Sequence, residues 1–320
     1  MKIALLDDYQ NVALRMADWD ALSSAEVTPF EDHLSEEDAL VARLSEFDVI
    51  MAMRERTPFG RTLFERLANL KLLITSGMGN ASIDLEAASD HGVMVCGTGG
   101  RILATAELTW GLILSCLRLI PAEDRAVREG RWQIGLGQEL DGKTLGVMGL
   151  GRLGSHVARV GRAFRMRVLA WSQNLTSERA GEVGAELVSK ETLLRESDVV
   201  TIHLVLGDRT RGLLGARELA LMKTSAYLIN TSRGPIVDER ALVEALRVGG
   251  VAGAGLDVFD VEPLPLDHPL RHMSNTVITP HTGYVTEETY RVFYREALEN
   301  IQAFMAGQPV RVLNPTPPDS

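Results

Sequence analysis

Short apolar runs alternate with helical patterns along this chain of 320 residues, and the alternation occurs twice. Within residues 1–100 the apolar runs are KIALLDD, FDVIMAM, LKLLITSG and GVMVCGT, separated by the helical segments EEDALVARLSE, GRTLFERLAN and NASIDLEAASDHG. A second series comprises TLGVMGL, MRVLAWS, DVVTIHLVL, SAYLIN, VAGAGLDVF and NTVITPH. Strands that alternate with helices form parallel sheets covered by helices. The sequence therefore predicts an α/β fold with two such units.

Two long helices set the predicted domain boundaries. An apolar helix is predicted from Thr105 to Ile120, ending near Pro121, and a last helix covers ETYRVFYREALENIQAFMAG. The first is too apolar for a helix with one solvated face, so we expect it to pack between domains or subunits. The last follows the final strand of the second unit, and we expect it to return to the first. Two domains are predicted. The first is discontinuous and comprises residues 1–100 and 286–320, and the second comprises residues 101–285.

Composition limits the partners and the compartment. The formal net charge is -10, which argues against nucleic-acid binding because that depends on neutralising phosphates. No apolar run reaches the length of about 18 residues that a membrane helix needs, and the N-terminal segment reads as a strand rather than a signal peptide. The only cysteines, Cys96 and Cys116, have no metal-ligand spacing and are predicted to be buried. We expect a cytoplasmic protein without a metal site.

A glycine pattern lies between one predicted strand and the next helix. Gly149, Gly151 and Gly154 form G-x-G-x-x-G, with Arg152 and Leu153 inside the motif. This pattern permits a tight turn, brings the backbone close to a pyrophosphate and lets helix and strand pack together. The helix N-terminus offers free N–H groups to phosphates, and Arg152 adds positive charge. A tight turn without a ligand is the alternative to a dinucleotide site.

The second strand of this unit lacks the acidic residue that holds an adenosine ribose. The chain has Ser172, Gln173 and Asn174 at that place. A carboxylate there would repel a 2′-phosphate, whereas these neutral groups can donate hydrogen bonds to one. The cofactor is therefore predicted to be NAD(P), with NADP somewhat preferred or both forms tolerated. No arginine stands at 172–174, although Arg179 lies a little further on.

Three further segments place reactive side chains directly after strands. LINTSRGPIVDE contains Arg233, AGLDVFDVEPLP contains Asp257 and Glu262, and VITPHTGYVT contains His281. The carboxyl ends of parallel strands are where open α/β sheets bind ligands. Taken singly, such residues are usually a surface charge, a loop residue or a structural histidine.

The sequence resembles the NAD(P)-dependent D-2-hydroxyacid dehydrogenases, which include glyoxylate/hydroxypyruvate reductases, phosphoglycerate dehydrogenases and formate dehydrogenases. The resemblance covers almost the whole chain, through GMGNASIDLEAA, TAELTWGLIL, REGRW, GKTLGVMGLGRLG, NTSRGPIVDERAL, AGAGLDVFDVEPLP and TPHTG. It implies two Rossmann-like or flavodoxin-like domains with parallel sheets and a cleft between them. The substrate domain would be the discontinuous one, and the apolar helix would contribute to a homodimer interface.

The resemblance also implies a catalytic set of Arg233, Glu262 and His281. A guanidinium can bind the carboxylate of a 2-oxo acid and also donate a hydrogen bond to its carbonyl oxygen. An imidazole suits the transfer of a proton to the developing alkoxide, and a neighbouring carboxylate orients its ring. Hydride exchange between NAD(P)H and a small anionic 2-oxo or 2-hydroxy acid is the predicted reaction. A cofactor-sensing interaction protein without catalysis, on the same fold, is the alternative.

The remaining carried-over residues are predicted to contact the cofactor or the substrate. His203 would line the adenine side, where this chain has Val205 in place of a common proline, and Tyr284 replaces a residue that is often small. Arg54 is predicted either to bind a second anionic group or to be simply solvated. The other predicted cofactor contacts are Thr105, Thr231, Asp257 and Gly283, and the predicted substrate contacts are Arg54, Met78, Gly79, Arg233 and His281.

Overall fold

A computed structural model describes residues 1–314 of the chain. Contacts divide it into two units, Met1–Arg101 with the segment from Val285 onward, and Ile102–Tyr284. The predicted proline-rich tail lies from residue 315 onward, outside the described residues, as does the end of the predicted segment 286–320. The assignment of the first unit to the substrate stays a prediction.

The first unit is built on a five-stranded sheet in the order β2-β1-β3-β4-β5, in which every pairing is parallel. The order 2-1-3-4-5 is that of flavodoxin-like folds. Its strands are β1 (Lys2–Leu5), β2 (Glu26–Pro29), β3 (Val49–Ala52), β4 (Leu72–Thr75) and β5 (Met94–Gly97). Its helices are α1 (Ala13–Met16), α2 (Glu37–Leu44), α3 (Arg61–Arg66), α4 (Leu85–Asp90) and, after the second unit, α12 (Glu287–Met305).

The second unit is built on a seven-stranded parallel sheet in the order β12-β11-β10-β9-β6-β7-β8. The first strand of this unit, β6, lies inside the sheet. Strands β7 and β8 are added on one side of it and β9 to β12 on the other, so the strand order reverses between β6 and β9, as in a Rossmann fold. The strands are β6 (Thr144–Met148), β7 (Arg167–Trp171), β8 (Glu186–Leu187), β9 (Val199–Ile202), β10 (Tyr227–Asn230), β11 (Gly253–Leu256) and β12 (Thr276–Ile278). The helices are α5 (Ile102–Leu117), α6 (Ile120–Arg128), α7 (Arg152–Ala163), α8 (Ser177–Gly181), α9 (Lys190–Glu196), α10 (Ala216–Leu219) and α11 (Glu239–Arg247). The predicted fold class, α/β with two parallel sheets, is confirmed.

Both faces of the seven-stranded sheet are covered by hydrophobic clusters. Successive residues of a strand point to opposite faces, so Val199 belongs to one cluster and Val200 to the other. Helix α5 lies in the first of these clusters, packed against α7, β10 and β11 of its own unit. Its apolar composition is thus explained by burial within the second unit, and a subunit contact for it stays a prediction.

The predicted helix from Thr105 to Ile120 was wrong at both ends. Helix α5 begins three residues earlier, at Ile102, and ends at Leu117. Leu119 then adopts a left-handed conformation, with φ 56°, and a second helix starts at Ile120. Pro121 lies in the first turn of α6, where its missing N–H is not needed, so it begins a helix instead of ending one. Within residues 1–314, no single helix is long and apolar enough to cross a bilayer; α5 and α6 reach that threshold only together, bent by 62°.

Candidate active site

The strand order brings the predicted catalytic segments to one edge of the second sheet. Arg233 follows β10, Asp257 follows β11 and His281 follows β12, and these three strands are neighbours. Adjacent strands lie about 4.8 Å apart, so the ends of β10 and β12 are roughly 10 Å from each other. The glycine turn follows β6 at the same carboxyl edge. This edge and its loops are the candidate active site.

A carboxylate-backed imidazole occupies the β12 end of this edge. Glu262 Oε2 lies 2.6 Å from His281 Nδ1, and the backbone N–H of Phe259 donates to Glu262 Oε1 at 2.9 Å. The carboxylate therefore accepts a hydrogen bond from Nδ1–H and leaves Nε2 as the ring nitrogen available for chemistry. The imidazole is largely shielded, with 14% of its side chain exposed.

Asp257 organises the loop that carries His281. Its Oδ1 accepts from the backbone N–H of Thr282 at 2.7 Å and from the Thr279 hydroxyl at 2.5 Å, while Oδ2 accepts from the N–H of Gly283 at 2.8 Å. Burial raises the pKa of the Asp257 carboxyl, and these hydrogen bonds oppose the rise. The same loop holds His281 in a left-handed backbone conformation, with φ 54°. Asp257 thus positions the imidazole through the backbone, and its predicted contact with the cofactor stays a prediction.

Arg233 lies in a short, well-bonded turn after β10. The Asn230 side chain donates to the Arg233 carbonyl at 3.0 Å and accepts from the Ser232 N–H at 3.0 Å. The guanidinium donates from Nη1 to the Ser232 carbonyl at 2.8 Å and is partly buried. A guanidinium carries five N–H donors, and this bond to the neighbouring carbonyl restrains its orientation.

Thr231, Thr105 and Gly283 form a connected group beside this turn. The Thr231 and Thr109 hydroxyls lie 2.8 Å apart, Thr109 donates to the Thr105 carbonyl, and the Thr105 hydroxyl donates to the Gly283 carbonyl at 3.0 Å. The chain of bonds links the start of α5 to the ends of β10 and β12. The structure therefore brings these three predicted cofactor contacts together with the catalytic segments.

The glycine turn after β6 has the geometry that a pyrophosphate needs. Gly149 has φ 97°, and a Cβ there would lie 2.5 Å from the His203 carbonyl oxygen. A Cβ on Gly154 would lie 2.0 Å from the Gly149 carbonyl oxygen, so only glycine allows α7 to pack so closely on the turn. Gly151 faces open space at the start of α7, and no side chain of the described residues caps this helix. Arg152 and Leu153 form the first turn of α7, and Arg152 is exposed.

The end of β7 carries the neutral residues that the sequence indicated. Ser172 is partly buried, and Gln173 and Asn174 are exposed. Arg179 lies beyond them in α8 and forms an ion pair with Glu182. Its charge is thus already balanced by a neighbouring carboxylate, and the structure offers less positive charge for a 2′-phosphate than the sequence suggested.

His203 follows β9, next to the glycine turn. Its ring Nε2 lies 3.0 Å from the Thr201 hydroxyl, and burial of the ring lowers the pKa of His203 to about 3. The imidazole is therefore neutral. Nδ1 is buried without a hydrogen-bond partner among residues 1–314. Val205, two residues later, is 87% exposed. The place of His203 on the adenine side stays a prediction.

The predicted substrate contacts of the first unit lie at the carboxyl edge of its own sheet. Arg54 follows β3 with φ 52°, and its Nη1 donates to the Ser76 carbonyl at 3.0 Å. Met78 and Gly79 follow the neighbouring strand β4, and both are exposed. The Asn80 side chain donates to the Arg54 carbonyl at 2.6 Å and ties the two loops together. Arg54 is thus half-buried and bonded to the loop that follows β4. Its binding of an anionic group stays a prediction.

Sequence reasoning missed an aspartate–histidine pair at this edge. Asp7, in a left-handed conformation after β1, lies 2.8 Å from His33 Nδ1 and accepts from the Thr57 hydroxyl at 3.2 Å. The pattern of two aspartates after an apolar run was the only signal for it.

Both cysteines are buried as predicted, and burial raises the pKa of Cys96 to about 11 and of Cys116 to about 12.

Known proteins resemble this chain along most of its length. The family profile described as D-isomer specific 2-hydroxyacid dehydrogenase, NAD binding domain, matches residues 110–283. A glyoxylate reductase from Aeropyrum pernix is 45% identical over 256 residues, which cover 77% of this chain and 76% of that protein. The chain belongs to the D-isomer specific 2-hydroxyacid dehydrogenase family. It is an NAD(P)-dependent 2-hydroxyacid dehydrogenase, with an NAD-binding domain in its second unit.

Two further similarities bear on this dehydrogenase. The crystal structure of an oxidoreductase from Ralstonia solanacearum has a TM-score of 0.95 and 38% identity, over 100% of this chain and 98% of that chain. A D-3-phosphoglycerate dehydrogenase from Archaeoglobus fulgidus is 39% identical over 275 residues, which are 85% of this chain and 52% of that protein. The chain thus spans about half the length of that relative. The whole two-unit fold is shared with a solved oxidoreductase.

Proposed function

We propose that this dehydrogenase reduces the carbonyl group of a small 2-oxo acid, such as glyoxylate or hydroxypyruvate, to the D-2-hydroxy acid. The observation that carries the proposal is the His281–Glu262 pair, 2.6 Å apart, on the same sheet edge as Arg233 and the glycine turn. Similarity to glyoxylate reductases supports the choice of substrate class.

His281 is the acid in reduction and the base in oxidation. Glu262 holds the proton on Nδ1, so the proton that moves is the one on Nε2. When the carbonyl oxygen gains negative charge, Nε2–H donates to it, and the charge of Glu262 stabilises the imidazolium from which the proton departs. The side chains of His281 and Glu262 are 14% and 27% exposed, which limits the access of water to them.

Arg233 binds the substrate anion. A planar guanidinium matches a carboxylate with two parallel N–H···O bonds, and a donor left over can polarise the carbonyl oxygen. The bond from Nη1 to the Ser232 carbonyl fixes the guanidinium beforehand, so less conformational entropy is lost when the substrate binds. Arg54, Met78 and Gly79 are the residues of the first unit that we assign to the substrate.

The nicotinamide cofactor fits the glycine turn and the sheet edge beside it. Gly149, Gly151 and Gly154 leave room for the pyrophosphate, and the uncapped start of α7 with Arg152 supplies N–H donors and charge. When bound, the cofactor supplies or accepts the hydride. We assign the adenine side to Val205 and His203, and the nicotinamide side to Thr105, Thr231, Asp257 and Gly283.

We propose that the enzyme tolerates NADP and prefers it over NAD. Ser172, Gln173 and Asn174 carry no negative charge against a 2′-phosphate, although Arg179 is engaged by Glu182. Changing Ser172 to Asp places a carboxylate at the end of β7, and we expect the ratio of kcat/KM for NADPH to that for NADH to fall at least about tenfold, which corresponds to about 1.4 kcal/mol. The neutral variant Ser172→Asn is the control. An unchanged ratio in Ser172→Asp contradicts the proposed preference.

A homodimer is proposed on the basis of exposed apolar side chains. Trp132 is 76% exposed and Leu136 is 97% exposed, in the segment that follows α6. Contiguous exposed apolar surface commonly marks a protein–protein interaction site. Light scattering should give twice the chain mass of 35.0 kDa, and a Trp132→Asp variant should shift it toward the single-chain mass. A single-chain mass for the unchanged protein contradicts the dimer.

A turnover assay with a panel of 2-oxo acids tests the proposed reaction. Oxidation of NADPH or NADH is followed at 340 nm with glyoxylate, hydroxypyruvate, pyruvate and oxaloacetate as separate substrates. We expect the highest kcat/KM with glyoxylate or hydroxypyruvate. Tight cofactor binding without turnover of any 2-oxo acid would instead favour a cofactor-sensing protein without catalysis.

A further inference from the structure

The ring of Tyr284 packs against the ring of His281. The two ring centroids lie 5.6 Å apart and the ring planes meet at 77°, which is the edge-to-face arrangement that aromatic pairs favour. Tyr284 is only 9% exposed, so its ring is held in place by its surroundings. The imidazole is therefore in contact with a fixed aromatic ring as well as with Glu262.

The hydrogen bond to Glu262 does not by itself fix the plane of the imidazole. It restrains one ring atom, Nδ1. The χ2 torsion of histidine is broad, and a carboxylate oxygen accepts over a wide range of directions, so the ring can tilt while the hydrogen bond persists. A second contact on the ring restricts this freedom, and the Tyr284 ring provides such a contact.

The backbone between the two rings is itself fixed. Thr282 and Gly283 separate His281 from Tyr284, and their consecutive N–H groups donate to the two oxygens of Asp257 at 2.7 and 2.8 Å. The spacing between the rings is thus set by a buried carboxylate. The contact is a built feature of the loop and does not depend on a surface rotamer.

We propose that Tyr284 is a positioning residue for the reaction, whose ring holds the imidazole plane of His281 so that Nε2 faces the carbonyl oxygen of the substrate. The proposal rests on the proposed function, in which His281 exchanges that proton. Proton transfer needs a donor–acceptor distance of about 2.6–3.2 Å, so a modest tilt of the ring lengthens the path beyond reach. Tyr284 donates no proton itself, and its hydroxyl has no part in the argument.

Three substitutions at position 284 separate the ring from its hydroxyl and its volume. In Tyr284→Ala we expect kcat to fall about 10- to 100-fold, the usual cost of a misplaced reacting group, with KM for the 2-oxo acid and the Kd for NADPH changed less than about twofold. Tyr284→Phe should have the kcat of the unchanged enzyme, and Tyr284→Leu should have a kcat between those of Tyr284→Ala and the unchanged enzyme. The solvent deuterium isotope effect on kcat should rise in Tyr284→Ala because proton transfer becomes slower.

Tyr227→Ala is the matched control, because Tyr227 is a partly buried tyrosine of the same unit at the opposite end of a strand from the site. Its kcat should match that of the unchanged enzyme. An unchanged kcat in Tyr284→Ala overturns the proposal, and so does a loss in Tyr284→Phe as large as that in Tyr284→Ala. A fall in melting temperature and cofactor affinity that accounts for the whole loss in Tyr284→Ala also overturns it.

A second measurement does not depend on activity. In protein labelled with ¹⁵N-histidine, the ring resonances of His281 are assigned with a His281→Gln variant and compared between the full-length enzyme and its variants. We expect one narrow set with an aromatic ring-current shift in the unchanged enzyme and in Tyr284→Phe, and broadened signals without that shift in Tyr284→Ala. Identical spectra in all three overturn the proposal. If no 2-oxo acid is turned over but the spectra differ as described, the substrate assignment fails and the fixed imidazole stands.

Discussion

Replacing His281 with alanine is expected to lower kcat by about two to four orders of magnitude while leaving the Kd for NADPH within about twofold, because a positioned general acid contributes that much to a proton transfer. The imidazole is 14% exposed and bonded to Glu262, so water can enter the vacated space but is not oriented there. The measurements are steady-state kinetics with a 2-oxo acid and fluorescence titration with NADPH.

His272→Ala is the control for this substitution, since His272 is an exposed histidine of the same unit. Glu262→Gln forms a second comparison: it keeps a hydrogen-bonding group beside Nδ1 but removes the charge, so its loss in kcat should be smaller than that of His281→Ala. If kcat in His281→Ala stays within about tenfold of the unchanged enzyme, which is less than a general acid contributes, the role of His281 is wrong.

Strand positions could be predicted where the strands are buried on both sides. The runs that became β1, β3, β4 and β5 are continuous apolar segments, because helices cover both faces of a parallel sheet. Strand β2 was missed since Glu26–Pro29 is an edge strand, only partly buried and closed by a proline. Strand β8, two residues long at the other sheet's edge, was missed for the same reason.

The candidate site could be predicted as a set of residues but not as a set of contacts. Motifs placed Arg233, Asp257 and His281 after strands, and a parallel sheet then gathers the strand ends at one edge. Periodicity carries no information on which N–H groups a buried carboxylate will accept from. The hydrogen bonds from the N–H groups of Thr282 and Gly283 to Asp257 join residues more than twenty positions apart, and they are visible only in the folded loop.

The same limit applies to two charged side chains, Arg54 of the first unit and Arg179 of the second. Arg54 was left as either an anion ligand or a solvated charge, because its local sequence is polar in both cases; the folded loop pins its Nη1 to the Ser76 carbonyl. Arg179 was considered as a partner for a 2′-phosphate, yet Glu182 lies one turn later in the folded segment and pairs with it. The hydrogen-bond and ion-pair partners of charged side chains depend on the folded structure. Their roles are therefore harder to predict from the sequence than the positions of buried strands.

Arg233→Gln is expected to lower kcat/KM for the 2-oxo acid by about two to four orders of magnitude. Two charge-assisted hydrogen bonds to a carboxylate are worth about 1.5–3 kcal/mol each, and a neutral amide cannot form the paired geometry. Most of the loss should appear as a higher KM, with the remainder in kcat because the guanidinium also polarises the carbonyl oxygen. Cofactor binding should persist, since the glycine turn lies on a different strand.

Two variants make this result specific to the position of the guanidinium. Arg240→Gln removes the same charge from an exposed site on α11 in the same unit and should leave kcat/KM unchanged. Arg233→Lys keeps the charge but loses the planar fork, so it should recover only part of the activity. A kcat/KM in Arg233→Gln equal to that in Arg240→Gln would mean that the substrate carboxylate is held elsewhere. The three kcat/KM values together therefore decide whether an anion is recognised at the end of β10 by shape, by charge alone or not at all.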